Sequence, residues 1–401
     1  MRVLLLNQCF HPDVVATAQH GWDLARRLAA EGHEVTAIAS RSIYGSVGAT
    51  LPAEEVVDGI RIRRVAANRF GKASIAARAV DFIGFHVRSA IAAMRLPRQD
   101  VAICFTTPPF ISLVGLALGL LRGTATIYWA MDLYPDVPIA CGVMRANSAA
   151  ARVFENINRT CLRRSTRVVV LGRCMQALVE SKGVPVDKVE LIRPWAEPGG
   201  LLIPRGVPNR YRSEWIAGER IVVMYSGNFG LGHDFETIIE GIAGLRDDPR
   251  FLFAMVGGGK RKSDVLTALR ARGISNVIDA PYQPRESLGE LLAAADVHLV
   301  SLAPGMEGIM VPSKFFGIAA AGRPVVSVGS LEGEVARCVT ETGCGRVVAA
   351  GDVGGFRNAL VGFADDPGMI DSMGAAAARG AQGEWSASRA LDHWAALVRA
   401  V

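Results

Sequence analysis

The sequence predicts an α/β chain of two doubly wound, parallel-sheet domains, and three observations carry that expectation. Short runs rich in Val, Ile and Leu recur along the whole length, as buried parallel strands require. Stretches long enough for a helix separate them, so the repeating unit is βαβ in both halves. At mid-chain the pattern breaks: Arg193 to Arg212 holds Pro194, Pro198, Pro204 and Pro208 with Gly199, Gly200 and Gly206, a composition that suits an interdomain linker. With 401 residues, half of them apolar, each side can bury its own core. The expected domains are residues 1–199 and 200–383.

The first strand is Arg2 to Leu6 in "MRVLLLNQCF", where Asn7 and Gln8 end the apolar run too soon for a signal peptide. A helix follows, with Ala18, Trp22, Ala25 and Ala29 at helical spacing and Gly32 as its stop. His20 sits on it, either as a catalytic group or as a surface or capping histidine. Further strands in this half are Glu34 to Ala39, Val101 to Phe105, Ala125 to Ala130 and Arg167 to Leu171. Phe110 to Leu121 is the longest apolar stretch, and it falls short of the roughly 20 residues that a membrane-spanning helix needs. The chain is therefore expected not to be integral to a membrane. In the second half the strands are Arg220 to Ser226, Phe251 to Val256, Val297 to Leu302 and Pro324 to Val328.

Seven dispersed cysteines, without a C-x-x-C pair or histidines at zinc spacing, read as reduced, buried thiols of a cytosolic protein. The formal charge is only +6, but it is unevenly placed. Between Ile60 and Arg98 stand Arg61, Arg63, Arg64, Arg69, Lys72, Arg78, Arg88, Arg95 and Arg98 against a single acid, Asp81. Such a patch points to an anionic partner: membrane lipid, a phosphorylated substrate or nucleic acid. No nucleic-acid motif accompanies it.

In doubly wound folds ligands gather at the carboxyl ends of the strands, so three strand-to-helix loops stand out. "YSGNFGLGHDFETIIEGI" places Gly227, Asn228, Phe229, Gly230 and His233 after a strand, and glycines there let backbone N–H groups approach a ligand. The spacing is neither the dinucleotide fingerprint nor the P-loop. "VGGGKRK" joins Gly258 to Lys260, as a tight turn or an anion-binding loop. "GIMVPSKFFGIAAAGRPVV" sets Ser313 and Lys314 at a helix start, where free N–H groups and a cation favour phosphate. Ahead of it, Glu307 and Gly308 offer an acceptor for sugar hydroxyls.

Together with the amino-terminal "FHPD" and "GHEV", the mid-chain "DLYPD" and "PYQPRESLGELLAAADVHLVSL", these segments resemble bacterial family 4 glycosyltransferases. The resemblance covers nearly the whole chain and is nearest to the branch that builds colanic acid, O-antigen and other surface polysaccharides. It implies the GT-B architecture of two Rossmann-like domains facing across a cleft, with acceptor on the first and nucleotide-sugar on the second. Residues 384–401 are then expected to form a helix crossing back to the first domain. The implied reaction retains anomeric configuration, uses no metal and needs no cofactor beyond the donor. Backbone N–H groups and cations would neutralise the leaving diphosphate.

Carried over residue by residue, the resemblance assigns donor binding to Gly227, Asn228, Phe229, Gly230, His233, Gly258, Lys260, Tyr282, Glu307, Gly308, Ser313 and Lys314. Asp132 in "DLYPD" is the leading polar group near the transferred sugar, beside the plainer reading of a turn cap. The chain departs from the family at three places. Asn228 and His233 stand in the loop where many members carry an Arg and a Lys, Met131 replaces a histidine, and Gly317 replaces the carboxylate that holds the donor ribose. These departures leave two other readings open, a catalytically silent scaffold and an epimerase. The basic stretch, interleaved with Phe70, Ile75, Val80, Phe82, Ile83 and Phe85, suits a peripheral helix on an anionic membrane near a polyprenyl-diphosphate-linked acceptor. The expected location is the cytoplasmic face of the plasma membrane.

Overall fold

The structure is a computed structural model that describes residues 1–43, 50–66, 75–196, 201–215 and 219–401, with residues 75–79 described by their backbone alone. Arg69, Phe70 and Lys72 of the basic stretch lie outside the described residues, as do Pro198, Gly199 and Gly200. The chain forms two compact units, one of Met1–Arg193 with Ala390–Val401 and one of Pro194–Arg389.

The first unit holds β1 (Arg2–Leu6), β2 (Glu34–Ser40), β3 (Glu54–Val57), β4 (Ile60–Val65), β5 (Val101–Cys104), β6 (Ala125–Trp129), β7 (Arg167–Val170) and β8 (Val189–Leu191). Their order in the sheet is β3-β4-β2-β1-β5-β6-β7-β8. All neighbours are parallel except β3, which runs antiparallel to β4. Asp58 and Gly59, both at positive φ (50° and 78°), turn this hairpin, the Asp-Gly signature of a two-residue connection. The charged stretch read around Arg61, Arg63 and Arg64 contains the strand β4, on which Arg61 and Arg63 share one face and Arg64 turns to the other, where it is buried and paired with Glu55. The carboxy-terminal helix Ala387–Arg399 brings Trp394 against Trp129 of β6, with ring centroids 4.4 Å apart.

The second unit holds β9 (Ile221–Asn228), β10 (Phe251–Gly258), β11 (Val277–Ala280), β12 (Val297–Ser301), β13 (Val325–Gly329) and β14 (Gly345–Ala349). They are all parallel, in the order β11-β10-β9-β12-β13-β14. Central strands buried on both faces explain the continuous apolar runs: Val222 to Tyr225 and Phe251 to Val256 are each buried throughout. In both units the strand order reverses beside the first strand, between β1 and β5 and between β9 and β12. A crevice opens outside the carboxyl ends at such a reversal.

One sequence expectation needs correction. Cys9, Cys104, Cys161, Cys338 and Cys344 are buried, but Cys141 and Cys174 are half-buried rather than buried. Cys174 lies on the short helix Arg173–Ser181, and Cys141 follows the short helix Asp136–Ala140; these peripheral segments do not shield every side chain.

Candidate active site

The reversal point of the second unit gathers the most unusual chemistry in the chain. β9 does not stop at Ser226 but continues through Asn228, paired with β10 so that Gly227 faces Gly257 and Asn228 faces Gly258. The two backbones meet too closely for side chains: a Cβ on Gly257 would lie 2.1 Å from the Gly227 carbonyl oxygen. Gly227 and Gly257 also hold φ at 123° and 120°, a conformation only glycine adopts without strain. Beside Gly227 lies the head of Lys314, with Cε and Nζ each 3.4 Å from where a Cβ would stand.

Lys314 opens the helix Lys314–Ala320, with Ser313 at the cap position and no capping bond from its hydroxyl. The helix has seven residues, so the lysine charge outweighs any dipole it adds. The Nζ is buried and has no hydrogen-bond partner among the described residues. It rests 3.5 Å above the Tyr225 ring, a cation–π contact. That ring is pinned, because the Tyr225 hydroxyl donates to the Asn228 carbonyl at 2.9 Å. Burial pushes the Lys314 ammonium well below the ordinary lysine range. A buried cation without an acceptor is what an anion-binding site looks like before the anion arrives.

His233 stands on the loop after β9. Its Nδ1–H donates to the Ser301 carbonyl at the end of β12, 2.6 Å away. Burial, then the neighbouring Lys314 charge, pushes its pKa down to about 3, so the ring is neutral and its Nε2 carries a lone pair. His233 therefore supplies no charge to a diphosphate; it ties two strand ends together. The adjacent Asp234 caps the following helix, accepting from the Thr237 amide at 3.1 Å and hydroxyl at 2.8 Å.

Other sequence candidates fall into three groups. Phe229 is a core residue: its ring is fully buried against Phe235, and its amide and carbonyl are already bonded to Gly258 and Arg261. Asn228 and Lys260 are exposed at the ends of β9 and β10, and Gly230 is half-buried beside the Asn228 side chain. Tyr282 is 60% exposed, with its ring over Gly258 and its hydroxyl donating to the Gly258 carbonyl at 3.3 Å. Glu307 accepts from the Gly305 amide at 2.9 Å, and Gly308 turns the loop at φ 75°. Gly317 has room beside it, since an added Cβ would meet only Leu292, at 3.9 Å.

Three residues here escaped sequence reading. Tyr225 looked like an ordinary strand residue, and only the fold shows the lysine over its ring. Ser301 and the buried Glu334 line a cavity of about 20 Å³ with Glu307, Gly308, Ser327 and Ser330, room for a single water. Glu334 starts the helix Glu334–Thr342, and a glutamate there reads as a favourable first-turn charge.

In the first unit, Asp132 follows β6 and donates its amide to the Thr106 hydroxyl at 3.3 Å. Burial pushes its carboxyl up to about 6. His20 is buried on the helix Ala16–Ala30 that follows β1. The sheet order sets one strand, β5, between the strands that lead to these two residues. The His11 ring stacks on Trp22 with centroids 4.2 Å apart. Cys9, beside Asp13, is held as a thiol, burial lifting its pKa to about 12. Among the described residues no three His, Cys, Asp or Glu side chains come together as a metal site.

Comparison with known proteins matches two family models in series, a glycosyl transferase 4-like domain over residues 17–195 and glycosyl transferases group 1 over residues 220–366. WbjE of Pseudomonas aeruginosa, named as a glycosyltransferase, is 30% identical over 260 residues, 63% of this chain and 62% of that protein. The match therefore spans less than two thirds of that relative's length. WcaI of Escherichia coli K12, named as a colanic acid biosynthesis glycosyl transferase, is 25% identical over 333 residues, 80% of this chain and 82% of that one. Among solved structures the fold matches sucrose-phosphate synthase from Thermosynechococcus elongatus with a TM-score of 0.75 at 16% identity, covering 100% of this chain and 98% of that one. It also matches WaaG, a glycosyltransferase of lipopolysaccharide biosynthesis, with a TM-score of 0.71 at 17% identity and 99% of each chain covered. HepE of Anabaena, solved with UDP, gives 0.75 at 12% identity over 100% of both chains. With a 4-like domain matched in its first unit and a group 1 domain in its second, the chain belongs to the family 4-like glycosyltransferases of GT-B fold.

Proposed function

We propose that the chain transfers a sugar from a nucleotide-sugar to a lipid-linked glycan acceptor in surface polysaccharide biosynthesis, at the inner face of the plasma membrane. The observation that carries the donor side is Lys314, whose buried Nζ lacks an acceptor and lies against the glycine strand end at Gly227. A diphosphate fills that need: its oxygens accept from Nζ and from backbone amides, and its charge returns the lysine to its protonated form. Lys314 stabilises the departing nucleoside diphosphate in place of a metal, and no cofactor beyond the donor takes part. Lys260, exposed at the end of β10, adds a second cation on the same edge.

Asp132 acts on the acceptor side. With a pKa of about 6, it is mostly ionised at neutral pH, and an ionised carboxylate can accept a hydrogen bond from the incoming hydroxyl. Transfer proceeds with retention, by front-face attack within a donor–acceptor ion pair, and Asp132 does not serve as a nucleophile. The lipid-linked acceptor rests on the relative WcaI being named for colanic acid biosynthesis and on the basic first unit. UDP-sugars are the first donors to test, because the structural neighbour HepE is solved with UDP and with UDP-glucose.

The experiment is a thermal-shift screen of UDP-, GDP- and dTDP-sugars, followed by incubation of any hit with a membrane lipid extract. Stabilisation by a donor and sugar incorporation into lipid support the proposal. No stabilisation by any nucleotide removes it. Binding without transfer assigns a scaffold role, and conversion of the donor without acceptor assigns an epimerase.

A further inference from the structure

The loop that carries Asp132 is fastened differently at its two ends. At its start β6 passes into Ala130, whose amide donates to the Val169 carbonyl of β7 at 2.8 Å, and the Asp132 amide reaches Thr106, just beyond β5. Ala130 and Leu133 are fully buried. At its end the chain turns into the helix Asp136–Ala140, five residues long and without a buried side chain. A helix that short does not hold together by itself, and with no apolar face in the core its position depends on polar contacts.

The only ionisable side chain on that helix is Asp136, and its partner is Lys182. The Lys182 Nζ donates to the Asp136 Oδ1 at 2.9 Å and to the Glu155 Oε2, also at 2.9 Å. Lys182 is 4% exposed, and a lysine is buried to that degree only when it is paired. It ends the helix Arg173–Ser181, and its carbonyl accepts from the Arg163 Nε at 3.0 Å. Glu155 and Arg163 both belong to the helix Ala149–Arg164, so the lysine is a strut from that helix to Asp136. Among the described residues Asp136 has no other side-chain partner, and its Oδ2 is buried without one. Glu155, by contrast, also pairs with Arg159 at 2.6 Å.

A buried ion pair is a poor source of stability, because desolvating the charges cancels most of their attraction; what it can supply is one fixed geometry. The geometry fixed here lies one turn of chain from Asp132. The two aspartates already act on a common group: burial first, then the Cys161 and Cys104 thiols, then Asp132 and Asp136 raise the pKa of the Tyr128 hydroxyl on β6. We propose that Lys182 is a positioning residue for sugar transfer, which through Asp136 sets the far end of the loop and so the place of the Asp132 carboxylate against the incoming hydroxyl. The inference rests on the reading of Asp132 as the group that meets the acceptor.

Lys182→Met with Asp136→Asn removes the pair as a whole and leaves Glu155 to Arg159. This pair variant should melt and bind nucleotide as the wild type does, while turnover on a membrane lipid extract falls roughly ten- to a hundredfold. Lys182→Arg keeps a cation between the two carboxylates and should keep most of the turnover. The pair variant added to Asp132→Asn should cost nothing further, because both changes act at one place. A full second loss in that background, or wild-type turnover of the pair variant, overturns the proposal. Hydrogen exchange reads the loop without activity: the Val137 and Ile139 amides, bonded to the Leu133 and Pro135 carbonyls, should exchange faster in the pair variant, and unchanged protection also overturns it. Should Asp132→Asn turn over like the wild type, the Asp132 reading falls and this inference with it. A slow Asp132→Asn beside a wild-type pair variant removes this inference alone.

Discussion

Replacing Lys314 by methionine is expected to move two measurements in opposite directions. In the unliganded chain the Nζ has no hydrogen-bond acceptor and only the Tyr225 ring, 3.5 Å away, against it. Withdrawing an ammonium from water costs several kcal/mol, and a desolvated cation–π contact offsets about 2 kcal/mol of that. Methionine keeps the apolar stem and removes the charge. The second unit should gain about 1 kcal/mol, raising its melting temperature by about 2 to 4 °C for a unit of this size. Donor binding should move the other way, because a charge-assisted phosphate contact is worth about 1.5 to 3 kcal/mol. That is a loss of roughly ten- to 150-fold in affinity.

The pH dependence follows from the direction of the shift. Burial holds the folded pKa of Lys314 below its unfolded value, so between the two the unfolded chain binds the extra proton and stability rises with pH. Donor binding has the opposite slope: a diphosphate favours the ammonium, so affinity falls as pH rises through the folded pKa. In the methionine variant this slope disappears. Calorimetric titration with UDP and UDP-glucose at several pH values, beside thermal melts without ligand, reads both effects. A variant that melts lower and binds nucleotide like the wild type would show that Lys314 is a structural residue.

Asp132→Asn should lower turnover at least tenfold while leaving donor affinity unchanged. It should also flatten a rate that otherwise climbs as pH passes about 6, the folded pKa of the carboxyl; an unaltered pH–rate profile would remove Asp132 from the reaction. Gly257→Ala should destabilise the second unit by about 3 kcal/mol or more, since its Cβ would lie 2.1 Å from the Gly227 carbonyl oxygen at φ 120°; a wild-type denaturation midpoint would contradict the close strand approach. Gly317→Glu should be tolerated, because only Leu292 stands within 3.9 Å of the new Cβ, and a helix gains a few tenths of a kcal/mol from losing glycine. If the missing carboxylate is a ribose contact, nucleotide affinity should rise, and unchanged affinity would assign ribose binding elsewhere.

The strands that sequence reading found and those it missed differ in one physical respect. Central strands such as β1, β9, β10 and β12 are covered on both faces, so they carry unbroken apolar runs that stand out in the sequence. The strands left unread were β3, β4, β8, β11 and β14, and all but β4 lie at a sheet edge. Edge strands are partly solvated and short, so Glu, Arg and Asp appear among their residues, as in the "VEL" of β8 and the "VIDA" of β11. β4 pairs with β3, and its three arginines in six residues read as a charged surface although Arg64 is buried. The Asp58-Gly59 turn was the available signal. The strand order itself leaves no trace in local sequence.

That order explains why Lys314 was legible as a candidate and its chemistry was not. A lysine after Pro312 and Ser313 at a helix start is a local pattern, readable within nineteen residues of sequence around it. What makes it unusual is Tyr225, on a different strand, and that contact exists only because β9 and β12 are neighbours at the reversal point. The relation is reciprocal. The loop after β9 sends His233 to the Ser301 carbonyl at the end of β12, while the helix after β12 sends Lys314 to the Tyr225 ring within β9. Each strand's exit is anchored on the other strand, and the two side chains interact, since the Lys314 charge helps to keep His233 neutral. Removing the Lys314 charge with methionine, or offsetting it with the negative charge of a bound diphosphate, should therefore let the His233 pKa rise from about 3. NMR titration of the histidine ring with and without UDP reads this coupling directly, and a His233 signal indifferent to both would place the diphosphate away from the reversal point.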